Sequence, residues 1–277
     1  MKEVSFGQYY PVKSFVHNMN PALKILFLIA YIVAIFLAKN FYGLAACAFV
    51  LLLILIFSRV PFLKVLRAIK GVLFLVIFTA VINVLFHTGS DVYWKGPAVY
   101  WHWKIFSVTQ AGIVFSLFLI IRLVLLVTCS SLLTYTTTPV ALTDGIEVLL
   151  TPLKWIRFPV HELALIMSIA LRFIPILMDE TERIKNAQKA RGADIEKGGL
   201  IKKIKSFVPI LVPLLLSAFR RADELGDAMD ARCYTGGKKR TKYKKLRLTW
   251  RDLIGFLVAA ALVTGVVLLR IYLGAPL

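Results

Sequence analysis

The chain has 277 residues, 59% of them apolar, a mean hydropathy of +0.77 and a formal net charge of +19. That apolar share lies above the usual half of a soluble domain and excludes an ordinary globular protein in favour of an integral membrane protein. The charge is uneven, because residues 154–251 hold 22 of the 34 Lys and Arg but 10 of the 15 acids. A basic segment beside a membrane suits anionic headgroups or an acidic protein surface. Nucleic acid is disfavoured, since no stacking platform or reader motif accompanies the charge.

Along the chain, some twenty polar-rich residues precede the first apolar run and no small-x-small cleavage site follows it. That run is expected to stay as an anchor. A bilayer core of about 30 Å needs roughly 20 apolar residues in helix, the only state that satisfies its own backbone in lipid. Five stretches qualify: 22–38, 41–57, 70–86, 105–134 and 252–273. The loop at 58–70 carries Arg59, Lys64, Arg67 and Lys70 without an acid. The loop at 87–104 has Lys95 and Lys104 beside Asp91, and an aromatic belt of Tyr93, Trp94, Tyr100, Trp101 and Trp103. Positive charge marks the inner face, so the N-terminus, 58–70 and 135–251 are expected inside, and 87–104 and the C-terminus outside.

Two more apolar runs, 163–178 and 206–219, are short and interrupted by Arg172 and Pro175, or by Pro209 and Pro213. As spans they would put residues 179–205, with eight Lys and Arg, outside. They read instead as long amphipathic helices on the cytoplasmic face, with Pro175, Pro209 and Pro213 as candidate hinges. The expected fold is all-α and polytopic: a four-span bundle at 1–134, a cytoplasmic coupling domain at 135–251, and a final span at 252–277. Within the spans the clear ionisable group is Arg122, with Asn83 a polar companion on another span; it is a candidate polar site, or a structural arginine held by Asn83 or a backbone carbonyl. The threonines from Thr134 to Thr138 before Pro139 read as a span end and a helix start, and the run from Lys238 to Arg247 as a solvated or lipid-contacting strip.

Catalytic signals are missing. Cys47 and Cys129 lie in apolar runs and Cys233 in the basic segment, which argues against a disulfide framework. The four histidines have no ligand spacing, and His161-Glu162 lacks the second histidine of a zincin helix. No P-loop exists, so nucleotide is not bound in that manner. The chain is expected to hold no cofactor and to be no enzyme.

The basic segment contains a quasi-repeat. Residues 179–192 and 220–233 are two helix-forming stretches, aligned when Arg191 is set on Arg232. The offset pairs Ile184 with Leu225, Ala187 with Ala228, Gln188 with Met229 and Ala190 with Ala231. Each is a short helix with a modest apolar stripe, alanines permitting close approach, and a terminal arginine favoured by the helix dipole. The arginine fork can grip a carboxylate with two hydrogen bonds. Two equivalent helix ends suit a partner with two equivalent grooves.

Ala190-Arg191-Gly192 and Ala231-Arg232-Cys233 resemble the paired signatures of the transmembrane (T) component of energy-coupling factor transporters. The likeness includes Ser14-x-x-His17 with Asn20-Pro21-x-x-Lys24, the stretch from Leu142 to Lys154, and Glu162 through Ser168, Arg172 and Pro175. It also takes in Arg221-Ala-x-Glu224 and Tyr234-x-Gly-Gly237. The resemblance implies a membrane bundle joined to long crossing helices. It implies that Arg191 and Arg232 each enter one of two ATP-binding-cassette subunits, which hold ATP and magnesium. It also implies a membrane-embedded substrate-binding S component that captures a vitamin or metal ion. Cys233 stands where the family has glycine and Asn20 where it has aspartate; without that glycine the second helix is expected to run on toward Gly236 and Gly237. Other readings are a T component dedicated to cobalt, nickel or biotin, a self-sufficient permease or channel, and a membrane enzyme.

Overall fold

The computed structural model describes residues 9–86, 99–103, 106–156, 158–192, 199–234, 236 and 249–272. Tyr93, Trp94, the run 238–247 and the C-terminal residues 273–277 lie outside them. The protein is a predominantly helical polytopic membrane protein with eight helices among the described residues. These are α1 (Pro21–Leu37), α2 (Phe41–Ser58), α3 (Phe62–Phe86), α4 (Gln110–Thr136), α5 (Pro139–Leu150), α6 (Val160–Ala190), α7 (Leu200–Ala231) and α8 (Trp250–Tyr272). A 3-10 segment, Thr151–Ile156, joins α5 to α6.

Two expected boundaries move. The loop at 58–70 is mostly helix: α3 starts at Phe62, so Lys64, Arg67 and Lys70 ride its first turns. Lysine and arginine are good helix formers, and the backbone helix extends beyond the apolar run that hydropathy detects. The span expected from 105 begins instead at Gln110. Residues Phe106–Thr109 form a strand (β2) paired antiparallel with β1 (Val99–Trp103), in register Trp103 to Phe106 and Trp101 to Val108. Thr109 then caps α4, its hydroxyl oxygen accepting the Gly112 N–H at 3.1 Å.

By length and composition α2, α3, α4, α6 and α8 suffice to cross a membrane, whereas α1 is a shorter apolar helix of 17 residues. The count of five agrees with the sequence expectation, but α6 enters the set and α1 falls just below the length. Hydropathy counted residues 22–38 as a span because the apolar run continues past the helix end into Ala38.

The described residues fall into two compact units, one within 149–245 and one within 7–148 and 246–277. The first division lies at 148/149 rather than at 134/135, and the second falls between Tyr234 and Thr249, outside the described residues. Most of α5 therefore belongs with the membrane bundle, against which it packs closely: a Cβ added at Gly145 would stand 2.9 Å from the Ala22 nitrogen and the Pro21 carbonyl carbon. Only glycine admits that approach of α5 to the start of α1.

The bundle core consists of Tyr31, Ala34 and Ile35 of α1 with Ala38 just beyond it, Leu44, Cys47 and Leu51 of α2, Phe118, Leu125 and Cys129 of α4, and Leu262 and Val266 of α8. Small side chains at Ala34, Gly43 and Cys47 let the helices close, as packing inside a bilayer requires. Tyr31 donates its hydroxyl proton to the Cys47 carbonyl at 3.1 Å, so its own buried O–H is satisfied.

A polar node sits at the N-terminal end of α1. The Asn20 side chain accepts from the Ala22 N–H at 3.0 Å, and Pro21 occupies the first helical position, where its missing N–H costs nothing. The buried Lys24 ammonium donates to His17 O at 3.1 Å, Thr136 O at 3.0 Å and Thr137 Oγ1 at 3.4 Å. Asp252, also buried, accepts the Asn20 N–H and the Thr249 N–H, each at 2.7 Å. His17 is held through both ring nitrogens. Its Nε2 donates to Tyr10 O at 3.0 Å, which leaves Nδ1 to accept from the Ser14 hydroxyl at 2.7 Å.

Two outcomes are expected. Gly145→Ala should destabilise the bundle by about 1–3 kcal/mol in thermal unfolding, since backbone rather than a side-chain tip must yield. Burial holds the His17 imidazole below its ordinary value of 6.5. The neutral ring is the folded form, so stability is complete above that value and falls as pH drops through it toward the lowered one. A melting series from pH 7.5 to 5 should show this loss, and His17→Gln should flatten it.

Candidate partner-docking site

The unit within 149–245 is built on α6 and α7, of 31 and 32 residues. Both follow one plan: an apolar half interrupted by proline, then a charged half ending in arginine. The helices pass in opposite senses, because Gln188 meets Pro209 while Glu180 meets Arg221. The two arginine ends therefore leave the crossing separately.

The contact at Gln188 follows from a proline. Pro213 has no N–H, so the carbonyl four residues earlier, at Pro209, loses its helical partner. The Gln188 Nε2 donates to that carbonyl at 3.5 Å. A second tie is the ion pair between Arg221 and Glu180 at 3.7 Å, partly exposed and therefore weak. The candidate hinges Pro175, Pro209 and Pro213 all lie inside helices that continue through them.

At the helix ends the quasi-repeat extends to the backbone. Arg191 caps α6 at φ −82°, ψ 5°, and Arg232 caps α7 at φ −92°, ψ 13°. The next residue is left-handed in both, Gly192 at φ +83° and Cys233 at φ +55°. In the second end the Cys233 N–H reaches Asp230 O at 2.8 Å and the Tyr234 N–H reaches Met229 O at 3.1 Å, the paired bonds of a Schellman cap. In the first, the Gly192 N–H reaches Lys189 O at 3.0 Å.

Cysteine was expected to let the second helix run on toward Gly236 and Gly237. It does not: α7 stops at Ala231, and Cys233 takes the left-handed conformation that glycine takes at 192. Hydrogen bonding by the cap outweighs the steric cost of a Cβ there, about 1–2 kcal/mol.

The supporting residues divide in the same way on both helices. Ile184 and Gln188, like Leu225 and Met229, are half-buried. Ala187, Ala190, Arg191 and Gly192, like Ala228, Ala231, Arg232 and Cys233, are exposed. What each end presents is thus a guanidinium beside alanines, a narrow tip with little side-chain bulk. The geometry is suited to insertion into a groove lined with carboxylates or carbonyls.

Elsewhere, Arg122 and Asn83 each have a backbone partner. Arg122 donates to Ala38 O at 3.0 Å, the carbonyl where α1 ends, with its guanidinium 4.8 Å from the Phe118 ring and 5.6 Å from that of Phe36. Asn83 donates to Thr79 O of its own helix at 2.8 Å. Asp252 was not singled out from the sequence. The signal was present: Thr249-x-x-Asp252 before an apolar run is a capping box, and the carboxylate does reach back to the Thr249 N–H. Its second bond, to the Asn20 N–H, joins residues too distant in sequence for any pattern to pair.

These features define a polytopic membrane protein carrying a pair of crossed helices with two like arginine tips. Residues 12–243 match the family model described as cobalt transport protein. The chain is 47% identical over 274 residues, 99% of each chain, to the energy-coupling factor transporter transmembrane protein EcfT of Clostridium kluyveri. It is 44% identical to that of Ruminiclostridium cellulolyticum over 98% of both chains, and 41% identical to that of Bacillus subtilis over 95% and 97%. The chain belongs to this family, the transmembrane components of energy-coupling factor transporters.

The two caps make opposite predictions. Cys233→Gly should stabilise by about 1 kcal/mol by removing a left-handed Cβ, and Gly192→Ala should destabilise by about as much. Thermal unfolding of both variants in detergent checks the signs.

Proposed function

We propose that the chain transmits ATP hydrolysis by two ATP-binding-cassette subunits to a membrane-embedded S component that delivers a vitamin or other micronutrient. One observation carries this reading: the two helix ends repeat each other in sequence, cap geometry and exposure, as two-fold docking needs. Arg191 enters one ATPase subunit and Arg232 the other, with the small exposed alanines allowing the approach. Both arginines, the N-terminus and the basic segment face the cytoplasm, as the positive-inside rule directs. Catalysis, ATP and magnesium reside on the partners.

Movement is supplied when the two ATPase subunits close and carry the tips with them. The apolar halves of α6 and α7 continue from those tips and are largely uncovered within their unit: Ile166, Met178, Leu211, Leu215, Leu216 and Phe219 are exposed. Lipid or an apolar S component covers such a surface. A tilt of α6 or α7 at the tip then moves the surface on which the S component rests.

Arg191→Glu and Arg232→Glu test the proposal through co-purification of ATPase subunits with the tagged chain and through uptake in cells. Each single variant should weaken ATPase retention at least about tenfold, and the double variant should abolish uptake. Undiminished uptake in the double variant sinks the reading.

A further inference from the structure

We propose that the membrane bundle holds one anionic phospholipid, with an acyl chain between α1, α2, α4 and α8 and its phosphate on Lys13, Arg59 and Arg251. The site rests on membrane embedding and not on the docking roles of Arg191 and Arg232.

Two adjoining cavities compose it. The first is an apolar slot of about 370 Å³ whose walls include Leu28, Val50, Leu132 and Val258. Its wall on α2 runs from Val50 to Phe57, about 10 Å of helix, so the slot is elongated as a hydrocarbon chain is. The polar side chains lining it are already engaged: the Lys24 ammonium is bonded to two carbonyls and a threonine, and the Thr136 hydroxyl donates to Leu132 O at 2.8 Å. The slot therefore offers an occupant apolar contact alone.

The second cavity, about 530 Å³, shares Phe15 and Phe57 with the first and is lined by Lys13, Ser14, Asn18, Arg59 and Arg251. Three cations converge there, and among the described residues no carboxylate lines the cavity. The nearest acid in sequence, Asp252, is occupied by the N–H groups of Asn20 and Thr249. Arg251 is steadied at the mouth by the Phe15 ring, 5.8 Å from its guanidinium. A basic pocket opening directly into an apolar slot matches the two parts of a phospholipid and requires its headgroup to be anionic.

The backbone at Arg59 supports the assignment independently. Val60 precedes Pro61 and must stay extended, so α2 has to end at Arg59, which adopts φ +55°, ψ 23°. Glycine takes that conformation freely and a side chain does not. Strain retained where the guanidinium lines the cationic cavity fits a residue held for its charge.

The full-length chain, purified in neutral detergent, is tested by native mass spectrometry. Phosphatidylglycerol, phosphatidylcholine with the same acyl chains, and inorganic phosphate serve as probes. Each cation is worth roughly a fivefold preference for the anionic lipid. Wild type should retain one phosphatidylglycerol on the order of 100-fold better than phosphatidylcholine, and phosphate should not displace it. The triple variant K13Q/R59Q/R251Q should lose the preference, and Val50→Trp should lower retention of both lipids. Arg59→Gly separates folding from binding, because it should raise the melting temperature while cutting the preference about fivefold. Equal retention of the two lipids overturns the site, as does a preference unchanged in Arg59→Gly or in the triple variant. Displacement of the lipid by phosphate at equal concentration marks a soluble-anion pocket and overturns it too.

Discussion

A buried ammonium ties the membrane bundle together. Lys24 lies in the first turn of α1, is 7% exposed, and spends its protons on oxygens from the N-terminal segment and from the end of α4. A cation in that position is tolerable only when fully coordinated, so it dictates where those segments lie. Asp252 adds the start of α8 through the Asn20 N–H, while Gly145 brings α5 against the same turn. The Asn20-Pro21-x-x-Lys24 sequence of this chain thus has a mechanical meaning. Asparagine is among the best N-cap residues, and here its side-chain oxygen takes the Ala22 N–H.

The second constraint is how long helices stop. α2, α6 and α7 each end next to a left-handed residue, at Arg59, Gly192 and Cys233. Glycine fills only the second of these. In α2 the following Val60-Pro61 forbids continuation, and in α7 the Schellman bonds hold Cys233 in place. Because Arg191 and Arg232 stand at the cap itself, the same bonds that end the helices set where their guanidinium groups emerge. Helix termination and the placement of the two exposed arginines are one structural act in this chain. Proline has a parallel use, since the carbonyl freed by Pro213 is what Gln188 of the other helix takes up.

Legibility varied with the range of the interaction. The helical spans, the quasi-repeat and the arginine tips were readable, because apolar length and local spacing reflect forces acting within one helix. The start of α3 was missed by eight residues, since Lys64, Arg67 and Lys70 look like a loop to hydropathy while being sound helix formers. The short β1–β2 pair was missed because strand pairing there follows an apolar run that reads equally well as helix. The first division lies beyond α5, whose close approach to the start of α1 at Gly145 is a contact between helices that composition does not mark. At Arg122 the sequence left Asn83 and a backbone carbonyl both open, and only the end of α1 at Ala38 supplies the carbonyl.

By itself the amino-acid sequence determined that this protein crosses a membrane by helices, that its charge gathers in one segment, and that two arginine-tipped stretches repeat. Each of those rests on residues within a few turns of one another. Tertiary structure alone decided that Lys24, Thr136 and Asp252 share a polar node, that Cys233 takes the same left-handed conformation as Gly192, and that Lys13, Arg59 and Arg251 surround one recess. These depend on carbonyl positions and close approaches between helices, which side-chain patterns do not encode until the helices have packed.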